Sequence, residues 1–178
     1  MSMNNIVLIG YRCSGKTRVG KRLAEQLEWK FVDTDSLVEG LSGHTIREIV
    51  HQEGWERFRK MEQGVVSAVC KAERTVIATG GGVVLESANV DRLKETGWVV
   101  WLKCADSVLT ERMVRQMERG SVRPPLTGTD CVSEVTPVLT GRKPFYEKAC
   151  HITVDTTHLS IDQTVSTIVT AMTGAISG

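Results

Sequence analysis

Short apolar, β-branched runs alternate along the chain with stretches in which apolar residues recur every three or four positions. The runs are Ile6–Ile9, Lys30–Asp33, Thr75–Thr79, Val99–Leu102 and Ile152–Asp155, and their length and composition predict strands covered on both faces. Between them the period changes to that of a helix. Val19, Leu23 and Leu27 draw one stripe. Thr45-Ile46-Arg47-Glu48 is a capping box that opens a short helix ending near Gly54. A longer helix is predicted from Trp55 to Ala72, with Phe58, Met61, Val65 and Val69 inward. Asp106 or Ser107 caps the next, which carries Leu109, Met113, Gln116 and Met117 on one side. A further face holds Val135, Val138, Leu139, Arg142 and Phe145, and Pro137 and Pro144 predict that this helix is capped late or kinked. Ser160-x-x-Gln163 opens a last helix through Ala171. Strand and helix in alternation predict an α/β domain, a parallel sheet with helices on both faces and ligands at the strands' carboxyl ends. Residues 120–131 break the pattern. They hold two prolines, two glycines and one arginine, Arg123, without periodicity, and read as a mobile lid.

Composition narrows the function classes. A chain of 178 residues fits one domain, 1–178, and a net charge of +1 argues against a nucleic-acid or membrane partner. No apolar run approaches the length of a membrane span. The five cysteines (Cys13, Cys70, Cys104, Cys131, Cys150) are odd in number and form no C-x-x-C pair. Neither a zinc site nor a disulfide framework is expected, which suits a reducing, cytoplasmic setting. The N-terminus lacks the basic region and cleavage site of a signal peptide.

The chemistry begins at Gly10-Tyr11-Arg12-Cys13-Ser14-Gly15-Lys16-Thr17, a G-x-x-x-x-G-K-T spacing set between a strand and a helix. Such a loop turns backbone N–H groups toward phosphate at the positive end of the helix. Gly10, Cys13, Ser14, Gly15, Lys16 and Thr17 are the candidate nucleotide-binding residues. Lys16 places a cation on the β- and γ-phosphates, and the Thr17 hydroxyl can ligate Mg²⁺. Cys13 occupies a place often held by Gly, where positive φ is common. Asp33 and Asp35, two apart at a strand end, point the same way, toward Mg²⁺ and a substrate hydroxyl. One of them can equally cap the following helix. Arg59 and Glu62 share a helix face, as an exposed pair or as groups in the same cleft. Gly80-Gly81-Gly82 ends a strand, where a ligand hydroxyl approaching bare backbone would justify three glycines. Arg142 in an apolar stripe is directed at an anion or snorkels to solvent.

Together these segments resemble the shikimate kinase family over nearly the whole chain: Gly10–Thr17, Asp33-Thr34-Asp35, Phe58-Arg59 with Glu62, Gly80-Gly81-Gly82, Arg123-Pro124 with Leu126, and Arg142-x-Pro144-x-Tyr146. The resemblance implies a P-loop kinase fold with sheet order 2-3-1-4-5, an acceptor-binding region at 33–73, and Mg²⁺ with ATP as co-substrate. It also implies the reaction: transfer of the γ-phosphoryl of ATP to the 3-hydroxyl of shikimate by a monomer. By that likeness Asp35 is the base, Asp33 holds Mg²⁺ through water, and Arg59 and Arg142 clamp the shikimate carboxylate. Glu62 orients Arg59; Gly80, Gly81 and Gly82 approach a ring hydroxyl; and Arg123 descends onto the transferring phosphate. Asp155 and Thr156 flank adenine. Cys13, Pro125 and Gln116 depart from the family pattern. Gluconate kinase and a non-catalytic, nucleotide-gated binding module are the competing readings.

Overall fold

A computed structural model describes residues 4–120, 124–127 and 130–176. Five parallel strands form one sheet in the order β2-β3-β1-β4-β5: β1 (Asn5–Ile9), β2 (Lys30–Asp33), β3 (Thr75–Ala78), β4 (Gly97–Lys103) and β5 (Ile152–Asp155). The expected order is the observed one. Because successive side chains leave a strand on opposite sides, each strand feeds two cores. Val7, Ile9, Ile77, Val99 and Trp101 pack on one face with Phe58, Val65 and Tyr146. Ile6, Leu8, Val76, Val100, Leu102 and Val154 pack on the other with Val19, Leu23 and Ile168.

The helices are α1 (Lys16–Leu27), α2 (Thr34–Ser42), α3 (Ile46–Val69), α4 (Ser87–Thr96), α5 (Asp106–Glu118), α6 (Val135–Ala149) and α7 (Ile161–Ile176). The capping box at Thr45 is present, with Thr45 Oγ1 accepting from Glu48 N and Glu48 accepting from Thr45 N. The predicted break falls at Gly54 (φ 80°, ψ 172°), so α3 is two helical pieces joined at a kink. The predicted cap at Ser160 also forms, reciprocally with Gln163.

Some expectations are corrected. Asp33 and Asp35 do not project from one strand end: Asp33 closes β2 and N-caps α2 through Asp35 N and Ser36 N, while Asp35 lies in the first turn of α2. Ala105, not Asp106 or Ser107, precedes α5, and no side chain caps it. Gln116 and Met117 are exposed, so only Leu109 and Met113 face inward there. On α6 the buried aromatic is Tyr146, and Phe145 is exposed. One residue is a 100° turn on a helix, and that reverses inside and outside. Pro137 lies in the first turn, where no N–H is required, and Pro144 lies within α6 on its exposed side.

Candidate active site

β1 is the central strand, and the loop after it opens at the carboxyl edge of the sheet. Three residues hold positive φ: Gly10 (144°), Cys13 (62°) and Gly15 (99°). A Cβ on Gly10 would also lie 2.6 Å from the Leu102 carbonyl oxygen, so this position admits only glycine. The fourth loop place does take positive φ, as its usual glycine suggests, and Cys13 carries a left-handed cost of about 1–2 kcal/mol. Its thiol meets Gln116 Oε1 at 3.3 Å. Lys16 is buried and folds across the loop, donating to the carbonyls of Gly10 (2.8 Å) and Tyr11 (2.7 Å). Thr17 Oγ1 donates to Asp33 Oδ2 at 2.7 Å, which sets both expected metal-site oxygens side by side. A cleft of about 1520 Å³, open to solvent, runs along Cys13–Thr17 past Asp33, Asp35, Arg112, Gln116 and Thr156.

A second, smaller cleft adjoins it, lined among others by Asp35, Trp55, Arg59, Glu62, the three glycines and Arg142. Arg59 Nη1 meets Glu62 Oε2 at 2.5 Å, so the predicted pair looks into the cleft rather than at solvent. Arg59 also lies over the rings of Phe58 (5.1 Å) and Trp55 (5.6 Å), which pack edge to face beside its guanidinium. Glu62 is fully buried; burial raises its pKa, opposed by the Arg59 charge. Arg142 is buried too and donates from Nη1 to the Gly81 carbonyl at 3.2 Å. Tyr146 donates to the same carbonyl at 2.5 Å, and burial pushes its pKa up to about 12, so it remains a phenol. The Gly81 carbonyl thus fixes the arginine from behind.

The glycine triplet has a reason beyond ligand approach. A Cβ on Gly80 would lie 2.6 Å from both Asp35 Oδ1 and Glu62 Oε1, and one on Gly82 would overlap the Arg59 guanidinium. One on Gly81 would crowd Arg12 N at 3.2 Å. The bare backbone first makes room for the chain's own carboxylates, guanidinium and phosphate loop.

At the far end of the larger cleft Thr156 is buried, bonded to the Lys103 carbonyl through N (2.8 Å) and Oγ1 (3.0 Å). Asp155 accepts from Thr157 N (2.9 Å) and Oγ1 (2.5 Å), which lower its pKa; it shapes the turn rather than lining the cleft. Arg112 spans the cleft's wall from the Cys13 carbonyl to the Thr156 carbonyl, each at 3.4 Å. Arg123 lies outside the described residues. Sequence reading passed over Arg12, Arg112, Glu134 and the inward role of Tyr146. The G-x-x-x-x-G-K-T pattern leaves the position of Arg12 open, and nothing in local spacing joins it to Glu134.

The family model described as shikimate kinase matches residues 12–173. The chain belongs to the shikimate kinase family. A shikimate kinase from Symbiobacterium thermophilum is 42% identical over 92% of this chain and 93% of its own length. Shikimate kinase 2 of an Enterobacter species is 44% identical over 94% of each. Among solved structures, a shikimate kinase from Acinetobacter baumannii in complex with shikimate superposes with a TM-score of 0.90 at 30% identity, covering 98% of this chain and 95% of that one. This chain is therefore an ATP-dependent kinase that phosphorylates shikimate. No helix among the described residues is long and apolar enough to cross a membrane.

Proposed function

We propose that the 3-hydroxyl of shikimate is the acceptor and that Asp35 takes its proton. The observation carrying this is the position of Asp35, which lines both the nucleotide cleft and the smaller cleft. The hydroxyl oxygen forms a bond to the γ-phosphorus while the bond to the β,γ-bridging oxygen breaks; the products are shikimate 3-phosphate and ADP. Lys16 leaves the loop carbonyls for the β- and γ-phosphates, where its charge is better compensated. Arg59 and Arg142 bind the shikimate carboxylate, each held in advance by Glu62 or by Gly81, which lowers the ordering cost on binding. Gly80, Gly81 and Gly82 form the wall beside the ring, and Asp155 and Thr156 belong to the turn that flanks adenine.

Mg²⁺ fits this site. Thr17 Oγ1 and Asp33 Oδ2 are hard oxygen donors in contact, and Mg²⁺ in kinases completes its shell with water and phosphate oxygens. When bound, the ion neutralises charge developing on the phosphate oxygens.

Both clefts are built within one chain, which supports a monomer as the working unit, and the scattered cysteines support a cytoplasmic location. A coupled ADP-release assay with MgATP and shikimate, gluconate or CMP in parallel tests the reading. Turnover is expected with shikimate alone. Preferred turnover of gluconate would reassign the smaller cleft, and nucleotide binding without turnover of any acceptor would point to a binding module.

A further inference from the structure

Arg12 is the other side chain, besides Asp35, that lines both clefts. It belongs to the phosphate loop, yet its buried guanidinium finds its partners at Pro124, Cys131 and Glu134. Nη2 lies 3.0 Å from Glu134 Oε1. Nη1 donates to the Pro124 carbonyl at 3.3 Å and reaches Cys131 Sγ at 3.7 Å. Glu134 is 1% exposed, and its second oxygen is fully used. Oε2 accepts from Leu126 N at 2.7 Å, Thr127 N at 3.0 Å and Thr127 Oγ1 at 3.1 Å. One buried carboxylate therefore forms an ion pair with the phosphate loop through one oxygen and accepts from two consecutive amides of the 124–127 segment through the other. Pro124 and Leu126 in turn line the smaller cleft.

A buried ion pair is a poor device for stability alone, since desolvation offsets most of its attraction; its better use is to fix one arrangement among several. Here the arrangement fixed is the edge of the acceptor cleft. The backbone of the same loop residue abuts the cleft's glycine wall, because Arg12 N lies where a Gly81 Cβ would crowd it. We propose that Arg12 and Glu134 are a positioning pair that holds residues 124–127 as a wall of the acceptor cleft, so that the phosphate loop helps to set acceptor affinity. Neither residue exchanges a proton or touches the reacting atoms in this role. The kinetic consequence rests on shikimate being the acceptor; the anchoring itself does not.

The test uses the whole enzyme and the variants Glu134→Gln, which keeps the shape but not the charge, and Arg12→Lys, which keeps the charge but not the fork. Amide hydrogen exchange at Leu126 and Thr127 reads the anchoring without any acceptor. Exchange should quicken at least tenfold in Glu134→Gln, while amides of β1 and β3 keep wild-type protection. Steady-state kinetics read the consequence: the KM for shikimate should rise about tenfold, as for loss of one charge-assisted contact, with the KM for ATP within about twofold. Arg12→Lys should fall between wild type and Glu134→Gln on both measures. Unchanged exchange at Leu126 and Thr127 would overturn the pair whatever the kinetics show. So would quickened exchange with an unchanged KM for shikimate, or with equal losses for both substrates. A wild type that turns over no shikimate would refute the acceptor assignment, and the exchange experiment would still decide the anchoring.

Discussion

Glu62 shows what a single residue contributes and how much of it the sequence discloses. Its spacing from Arg59 places both on one helix face, but only the fold shows that the carboxylate is fully buried and packed against a bare Gly80. Burial raises its pKa above the ordinary 4.5, with Arg59 pulling the other way. The native state thus binds this proton more tightly than the unfolded chain does. Stability from that preference is complete below pH 4.5 and is lost as pH rises through the raised native value. Glu62→Gln cannot titrate, so the difference in stability between variant and wild type should grow with pH across that window. Urea midpoints from pH 4 to pH 8 measure it, and parallel curves for the two proteins would show that Arg59 fully offsets the burial. The variant also frees Arg59, so its KM for shikimate should rise by about tenfold. Other residues were illegible for a plain reason. Arg12 and Glu134 meet only through the tertiary fold, and Tyr146 differs from Phe145 by one step of helical phase that two prolines obscure.

At the level of elements, strands and caps were readable because their causes are local. Five β-branched runs became five strands, and the Thr45 and Ser160 capping boxes formed where their residues stand. Asp33 was harder, because one side chain has two uses: Oδ1 caps α2 while Oδ2 meets Thr17. The kink in α3 falls at the start of the piece that lines the smaller cleft. Gly54 sits at φ 80°, ψ 172°, a conformation essentially confined to glycine, and directly precedes the piece carrying Trp55, Phe58, Arg59 and Glu62. A Cβ there would meet nothing within 4 Å, so the cost of Gly54→Ala is purely that of the backbone. That cost is about 1–3 kcal/mol, which for a domain of this size lowers Tm by roughly 3–9 °C. If the kink straightens instead, Arg59 swings and the KM for shikimate rises while that for ATP holds. Thermal unfolding and both KM values separate these responses. An unchanged Tm with unchanged kinetics would mean the break in α3 has no bearing on the site.

For the molecule as a whole, parallel pairing brings every strand's carboxyl end to one edge, so loops distant in sequence share one surface. That much followed from the alternation of strands and helices. Which side chains then meet there did not, and the two clefts joined at Asp35 and Arg12 emerge only when the edge is assembled. Phosphoryl transfer across their junction asks chiefly for charge on the equatorial oxygens. In the proposed reaction Lys16 and Mg²⁺ would already serve the ground-state phosphates, so a further cation would act mainly in the transition state. We propose Arg123 for that part. It is the one arginine of the 120–131 stretch, and it directly precedes Pro124, whose carbonyl is held by Arg12. Such arginines contribute large rate factors without adding ground-state affinity, so Arg123→Ala should lower kcat by about a hundredfold or more. Both KM values should move little. Arg123→Lys should recover part of the rate, because an ammonium carries the charge without the planar fork. Steady-state kinetics of the three proteins decide the matter, with ADP binding measured alongside. A near-normal kcat in the alanine variant would assign the 120–131 stretch to excluding water only. The transition-state cation would then have to be sought among the other arginines that line the nucleotide cleft, Arg112, Arg115 and Arg119.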